Sequence, residues 1–236
     1  GRFILLYIII GVNLLVGCGR KAAPQYVIGV SQCSEDIWRD KFNKELQMAE
    51  YLNDSIQVKL ASSNDDSKLQ TRQINQMIDE KVDLLVIAPN QLNTISPAIN
   101  RAYDKGIPVI IYDRKANSNK YTAFIGCDNY AIGKSMGEFI AQKLQGKGRV
   151  VEIRGLEGSS PALERHRGFM EAMKKYPGMQ VVASEAGDWK EESGKKAMQR
   201  ILDKTRDFDY VFSHNDRMGW GAYQVVRDKG LARNYK

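Results

Sequence analysis

The sequence is poor in the residues that form disulfide frameworks and zinc sites. It contains three cysteines and two histidines among 236 residues. Cys33 and Cys127 could pair in an oxidising compartment, but nothing in their spacing requires it. His166 and His214 have no second pair of ligands near them in the sequence. We therefore expect two free, buried thiols and no metal ion.

The chain also lacks the common motifs of nucleotide binding and catalysis. Neither G-x-G-x-x-G nor G-x-x-x-x-G-K-[ST] follows a predicted strand, and no Ser/His/Asp or paired-carboxylate site assembles. The sequence favours a binding protein, with no catalytic residue and no cofactor. The alternative is a Rossmann-like enzyme acting on a sugar or phosphosugar, in which residues 155–158 would cradle a phosphate. Glu157 within that segment argues against an anion there.

Positive charge is present but dispersed. The formal net charge is +7, yet the basic residues alternate with acidic ones and form no basic run. We interpret this pattern as a solvated surface and expect no nucleic-acid partner.

The sequence has one long apolar run, from Phe3 to Val16. The run is short for a membrane-spanning helix, which needs roughly 20 residues, and it is typical of an export signal. It ends in Leu15-Val16-Gly17-Cys18, which resembles a bacterial lipobox, in which the cysteine becomes lipidated. Residues 1–24 are therefore either a signal peptide with a lipidated Cys18 or an uncleaved membrane anchor, followed by a linker. Both interpretations predict a periplasmic, membrane-associated protein.

Beyond this segment, short β-branched runs alternate with segments of helical period, which indicates βαβ units and parallel sheets. The runs fall into two sets, so we predict an α/β fold with two doubly wound lobes, 25–127 and 128–236, facing each other across a cleft. A strand should follow the helix predicted near 218–229, so we also expect the second lobe to be truncated. The predicted strands are 26–31, 56–61, 83–88, 107–112, 122–126, 149–153, 179–183 and 209–213.

Helical periodicity predicts which helix faces are buried. The segment Asp65-Asp66-Ser67 supplies N-cap candidates for a helix that buries Ile74, Met77 and Ile78. Two further helices are each expected to lay one apolar face on a sheet; the predicted faces are Ile95, Ala98, Ile99 and Ala102 in one and Ile132, Met136, Phe139 and Ile140 in the other.

Polar and aromatic residues follow several of the predicted strands. Asp113 and Arg114 come directly after an apolar run, and Asn215 follows another. Carboxyl ends of parallel strands form the ligand-binding edge of open α/β sheets. Asp113-Arg114 could instead be a structural ion pair, Trp189 could belong to the core, and Asn215 or Asp216 could cap the next helix, for which Asp216 is the better candidate.

Arg165 lies in a predicted first helical turn, where the helix dipole does not favour a cation. A ligand or a carboxylate partner therefore explains its position better. His166 and His214 are interpreted as structural residues with satisfied hydrogen bonds.

Taken in order along the chain, these motifs resemble the periplasmic sugar-binding proteins of the ribose-binding type, which share their fold with the ligand domains of lac repressor-like regulators. The resemblance covers Tyr26 to Lys236. More narrowly, the chain looks like the extracellular sensor domain of a hybrid two-component histidine kinase, through residues 31–39 and 212–216. The motifs of the broader resemblance are Ile28-Gly29-Val30-Ser31 with Trp38, Asp113-Arg114, residues 125–129, residues 164–169 and residues 214–218.

The resemblance implies a non-catalytic receptor that closes around a pentose or hexose by hinge motion. Trp38 and Trp189 would stack on the two faces of the sugar ring. Hydroxyl groups would be held by Asp113 and Arg114 from the first lobe, and by Arg165 and Asn215 from the second.

Two points in the first loop stay open. Arg39 either reaches the cleft or pairs with Glu35. Glu35-Asp36 also stands where family members often carry Asn-Pro, which leaves the identity of the sugar open. The implied partners are a sensor kinase or an ABC permease. A sugar-controlled repressor would need a DNA-binding segment where this chain carries an export signal.

Overall fold

A computed structural model describes residues 24–231 and shows strands alternating with helices along the chain. The strands are β1 Tyr26–Gln32, β2 Ile56–Ser62, β3 Leu84–Ile87, β4 Val109–Tyr112, β5 Ala123–Ile125, β6 Lys147–Arg154, β7 Gly178–Ala186 and β8 Tyr210–Ser213. The helices are α1 Ile37–Tyr51, α2 Ser67–Asp79, α3 Ser96–Asp104, α4 Asn129–Lys143, α5 Ser160–Lys174, α6 Glu191–Lys204 and α7 Asp216–Asp228. Each predicted strand is present, with ends that differ by a few residues.

The strands form two parallel sheets. The first has the order β2-β1-β3-β4-β5 and the second the order β7-β6-β8. Within residues 24–231 the chain passes between the sheets once, through α4. This architecture confirms the predicted α/β fold class with two doubly wound sheets. The exact lobe limits of 25–127 and 128–236 stay a prediction.

Helices cover both faces of each sheet, because the strands carry apolar residues on both sides. In the first sheet, α2 and α3 pack on one face through Ile74, Met77 and Ile99, all buried as predicted. On the other face, Phe42 of α1 packs beside Tyr112, with ring centroids 4.8 Å apart. In the second sheet, α6 and α7 share one core cluster with β6, and α4 and α5 share another.

Helix α4 buries a different face from the one predicted. Ile140 is fully buried, whereas Ile132, Met136 and Phe139 are 38%, 38% and 43% exposed. Three of the four residues of the predicted apolar face therefore lie largely toward solvent, and the prediction for this helix was wrong.

Glycines explain the difference, because they let α4 and α5 approach closely. A Cβ atom on Gly133 would lie 2.0 Å from the carbonyl oxygen of Arg165, and one on Gly168 would lie 2.1 Å from that of Tyr130. The buried face of α4 therefore includes the small residues Gly133, Gly137 and Ala141 beside Ile140, and a pattern of large apolar residues does not reveal it.

The cysteines are free, and one of them is not buried. Cys33 is buried, but Cys127 is exposed in the connection after β5, which corrects the expectation of two buried thiols. Cys18 and the apolar run before it lie outside the described residues. Between residues 24 and 231, no helix has the length and apolar character needed to cross a membrane.

Candidate functional site

A cleft of about 740 Å³ opens between the carboxyl ends of the two sheets. Its volume is in the range of small-molecule sites. The first lobe contributes the loops after β1, β2 and β4, and the second contributes the loops after β7 and β8 together with the start of α5. Every residue predicted to bind the ligand lines this cleft, namely Trp38, Arg39, Asp113, Arg114, Arg165, Trp189 and Asn215.

Asp113 lies at the centre of the first-lobe surface, directly after β4. Arg39 Nη2 donates to Asp113 Oδ2 at 2.5 Å, and Arg114 Nε lies 3.9 Å from the same oxygen. Asp113 has a φ of 61°, a left-handed conformation that aspartate tolerates better than most residues. The carboxylate is therefore fixed at the cleft wall by two guanidinium groups.

Arg39 is almost fully buried, with 3% of its surface exposed. Burial alone would lower the pKa of this guanidinium, but the neighbouring Cys33 and Asp113 raise it, so Arg39 stays charged. Its Cζ atom lies 4.7 Å from the ring centroid of Trp38 and 5.4 Å from that of Tyr112. Arg39 pairs with Asp113 and not with Glu35, which settles the alternative left open by the sequence.

Two donors of Arg39 lack partners. Within the described part of the chain, its Nε and Nη1 atoms are buried without a hydrogen-bond partner. An unpaired donor in a protein interior is costly, so the buried guanidinium of Arg39 is held in place at an energetic cost that its pairing with Asp113 offsets.

Arg114 is held from behind by a residue that the sequence analysis missed. Its Nη1 atom donates to the carbonyl oxygen and to Oδ1 of Asn90, at 3.1 and 3.2 Å. Asn90 is 1% exposed and also donates to Ser67 Oγ at 2.9 Å. Its position shortly after β3, at the same sheet edge as Asp113, was the available signal.

Trp189 forms the second-lobe wall and has an unusual backbone. Asp188 and Trp189 have φ angles of 53° and 69°, which are uncommon for residues other than glycine. Its indole lies against Gly155, where a Cβ atom would be 2.1 Å from ring atom Cζ2. Gly155 therefore lacks a side chain because the tryptophan ring packs against it, and the segment is not a phosphate-binding loop. Trp189 lines the cleft and also contacts the core, so both alternatives hold in part.

Arg165 faces Trp189 from α5, with its Cζ atom 5.4 Å from the ring centroid. Its Nε atom donates to Asn129 Oδ1 at 3.0 Å, and its Nη1 atom donates to the carbonyl oxygen of His214. Burial lowers its pKa, against the opposing influence of Asp113. Since α5 begins at Ser160, Arg165 lies in the second turn and not the first. No carboxylate among the described residues forms an ion pair with it.

Asn215, and not Asp216, caps α7. Its Oδ1 atom accepts from Met218 N at 2.9 Å, and its Nδ2 atom donates to the carbonyl oxygen of Trp189 at 3.0 Å. Asp216 is the first helical residue. Asn215 thus joins the start of α7 to the tryptophan loop while it lines the cleft.

The two histidines share a buried carboxylate behind this wall. His166 Nδ1 lies 2.8 Å from Glu152 Oε2, and His214 Nε2 lies 3.0 Å from Glu152 Oε1. Burial by itself would raise the pKa of Glu152, but hydrogen bonds from the histidines lower it to about 2. Both histidines therefore have satisfied hydrogen bonds, as predicted.

Contacts across the cleft also involve residues that the sequence analysis did not assign to the site. Lys190 Nζ lies 2.5 Å from Asp65 Oδ2, and Lys115 Nζ lies 2.7 Å from Glu164 Oε1. Asp66 is the N-cap of α2, which leaves its neighbour Asp65 free for this pairing. The two lobes are therefore bridged by charged pairs.

The chain matches known proteins over most of its length. The sequence model of the family described as periplasmic binding protein domain matches residues 28–235. The galactofuranose-binding protein of Escherichia coli K12 is 30% identical over 234 residues, 96% of this chain and 73% of that protein. The ribose import binding protein of Bacillus subtilis 168 is 32% identical over 175 residues, 74% of this chain and 57% of that protein.

Solved structures give the same picture. The fructose-binding periplasmic domain of a hybrid two-component system is 42% identical, with a TM-score of 0.85 over 89% of this chain and 70% of that one. A galactofuranose-binding protein superposes with a TM-score of 0.80 at 29% identity over 87% of this chain and 72% of that one. These matches confirm the resemblance predicted from the sequence motifs.

Proposed function

The chain belongs to the periplasmic binding protein family, and from that premise we propose that it binds one neutral pentose or hexose in the cleft between its lobes. Family membership gives it an extracytoplasmic location and the role of a binding protein rather than an enzyme. The observation that carries the proposal is the Asp113 carboxylate, presented at the cleft wall between the guanidinium groups of Arg39 and Arg114.

Asp113 is the principal acceptor of sugar hydroxyls in this proposal. Its Oδ2 atom is engaged by Arg39, while no side chain among the described residues donates to its Oδ1 atom. A carboxylate oxygen with free lone pairs accepts hydrogen bonds from adjacent hydroxyls.

The sugar ring lies between two indoles in this arrangement. Trp189 is supported by Gly155 below and by the guanidinium of Arg165 at 5.4 Å. Trp38 is 55% exposed at the opposite wall, with the guanidinium of Arg39 4.7 Å from its ring centroid, and its exposed surface would cover apolar C–H groups. Arg165 and Asn215 complete the polar contacts from the second lobe.

Closure of the cleft accompanies binding. The pairs Lys190–Asp65 and Lys115–Glu164 join residues of different lobes, and Leu92 N donates to the carbonyl oxygen of Gly158 at 2.8 Å. These contacts define a closed state of the two lobes. A sugar that contacts both lobes would bind this state better than an open one and would therefore raise its population.

The output of binding is proposed to be signalling by a membrane kinase. The support is the 42% identity to the fructose-binding periplasmic domain of a hybrid two-component system. Delivery to an ABC permease is the second candidate, supported by the 32% identity to a ribose import binding protein. Sugar-dependent autophosphorylation of the full-length protein supports the first, and sugar uptake that requires the gene without such phosphorylation supports the second.

At the N-terminus, Cys18 is proposed as the lipidated first residue of the mature protein. Its support is the sequence Leu15-Val16-Gly17 before it. Mass spectrometry of membrane-derived protein would detect a diacylglyceryl adduct on Cys18. Protein that retains residues 1–17 would instead support the membrane anchor.

A thermal-shift screen tests the proposed binding. The panel contains D-fructose, D-ribose, D-galactose and L-arabinose, with myo-inositol and a sugar phosphate for comparison. A ligand that binds only the folded state raises the melting temperature by mass action. A shift by one neutral sugar supports the proposal. A shift by the sugar phosphate alone would contradict it.

A further inference from the structure

A buried polar cluster lies directly behind the second-lobe wall of the cleft. Its centre is Glu152 of β6, which is 0% exposed. It accepts hydrogen bonds from Ser184 Oγ of β7 at 2.7 Å, and it contacts His166 and His214 at 2.8 and 3.0 Å. The cluster therefore joins the central strand of the second sheet to both of its neighbours and to α5.

The contacts of His214 fix which of its nitrogens carries the proton. The backbone N–H of Gly155 donates to His214 Nδ1, at an N···N distance of 3.3 Å, so this nitrogen must be an acceptor. His214 Nε2 is then the donor to Glu152 Oε1. A second proton, on Nδ1, would break the hydrogen bond to Gly155 and place two donors against each other.

Two of the contacts of His214, with Gly155 and with Arg165, connect it to the second-lobe wall of the cleft. Gly155 is the seat of the Trp189 indole, and the ring centroids of Trp189 and His214 are 6.2 Å apart. The carbonyl oxygen of His214 accepts a hydrogen bond from Arg165 Nη1. A rotation of the His214 ring would therefore release Gly155, against which the indole packs, while the backbone of His214 holds the guanidinium of Arg165.

The charges around His214 act in opposite directions. Glu152 favours its protonation, whereas Arg165 and His166, both on α5, disfavour it, and burial disfavours it most. The pKa of His214 is accordingly lowered. His166 is 41% exposed at its side chain, and its hydrogen bond to Glu152 raises its pKa, against the influence of Arg154. The two histidines thus differ in the exposure of their side chains and in the direction in which their pKa values are shifted.

We propose that His214, anchored by Glu152, is a positioning residue of the sugar site, and that sugar binding requires His214 in its neutral form. The inference rests on the proposed sugar binding. Because only the neutral ring can accept the hydrogen bond from the N–H of Gly155, sugar affinity should fall as the pH drops below the pKa of His214, which burial places below the ordinary histidine value.

The test uses reciprocity between proton binding and sugar binding. With the affinity tag removed, the chain has two histidines, so their ring resonances can be followed by NMR and assigned with His166→Gln. Saturation with the sugar found at pH 7.5 should lower the pKa of His214 by about 0.5, which corresponds to an affinity about threefold weaker in acid. The pKa of His166 should change by less.

Calorimetry at pH 7.5 and at about one pH unit below the His214 pKa measured by NMR gives the second readout. Wild-type protein and His166→Gln should both bind more weakly at the lower pH, whereas Glu152→Gln, which removes the anchoring charge, should bind more weakly at both values. A His214 pKa that is the same with and without sugar would overturn the inference, even if Glu152→Gln fails to fold. If no sugar binds at pH 7.5, the proposed function fails instead, so the two failures are distinguishable.

Discussion

Replacing Asp113 perturbs the proposed sugar site at the point where two guanidinium groups, those of Arg39 and Arg114, meet one carboxylate. Asp113→Asn keeps the shape of the side chain and tolerates the left-handed φ of 61°. It removes the charge that pairs with Arg39 at 2.5 Å and that we propose as the acceptor of sugar hydroxyls. Asp113→Ala removes the acceptor altogether and leaves the guanidinium of Arg39, which is 3% exposed, without its carboxylate.

The expected loss follows from the strength of hydrogen bonds to charged groups. Hydroxyls left unpaired in a closed cleft cost about 2 to 4 kcal/mol, so Asp113→Ala should weaken binding roughly 30- to 700-fold. Asp113→Asn should lose less, because its amide oxygen still accepts. Unfolding should also become easier in Asp113→Ala, because a buried guanidinium loses its partner.

Calorimetry and denaturant unfolding separate these two effects. Asp188→Asn is the matched control, since Asp188 lines the same cleft with a φ of 53° and loses the same charge. Asp188→Asn should change sugar affinity by less than about threefold if the position of the carboxylate, rather than the net charge of the cleft, determines binding. A folded Asp113→Ala protein with wild-type affinity would refute the role given to Asp113.

Two further predictions concern the second lobe and closure. Gly155→Ala places a Cβ atom 2.1 Å from the Trp189 ring, so it should lower sugar affinity at least about tenfold and lower the free energy of unfolding by about 1 to 3 kcal/mol. Gly219→Ala is the control, because its Cβ would have only ordinary contacts, and it should leave sugar affinity unchanged. Equal losses of affinity in both variants would contradict this reasoning. Asp65→Asn and Lys190→Met should each raise the sugar dissociation rate up to about fivefold, because a partly exposed ion pair is worth about 0.2 to 1 kcal/mol. The double variant should resemble either single one in stopped-flow measurements, and additive effects would show that the pair does not act as a unit.

The strands and the cleft were predictable because their signals are local. β4 is a short apolar run, and a charged pair that follows such a strand must emerge at the carboxyl edge of the sheet. The same logic brought Asp113 and Asn215 to one cleft before any contact was known. Whether they bind sugar stays a prediction.

Two of the features that the sequence analysis missed depend on contacts between elements, and a third depends on local backbone geometry. The buried face of α4 is set by Gly133 and its approach to α5, which large-residue periodicity does not detect. The pairing of Lys190 with Asp65 joins residues 125 positions apart in the chain. Asn215 rather than Asp216 caps α7, since helix ends are defined by backbone geometry to within a residue or two.

Isothermal titration calorimetry of the full-length extracellular protein against a panel of neutral pentoses and hexoses tests the central claim most directly. The account predicts that at least one neutral monosaccharide binds with a stoichiometry near one, and that Asp113→Ala and Gly155→Ala both weaken that binding while the protein stays folded. No binding by any neutral sugar, or binding that survives both substitutions unchanged, would contradict it.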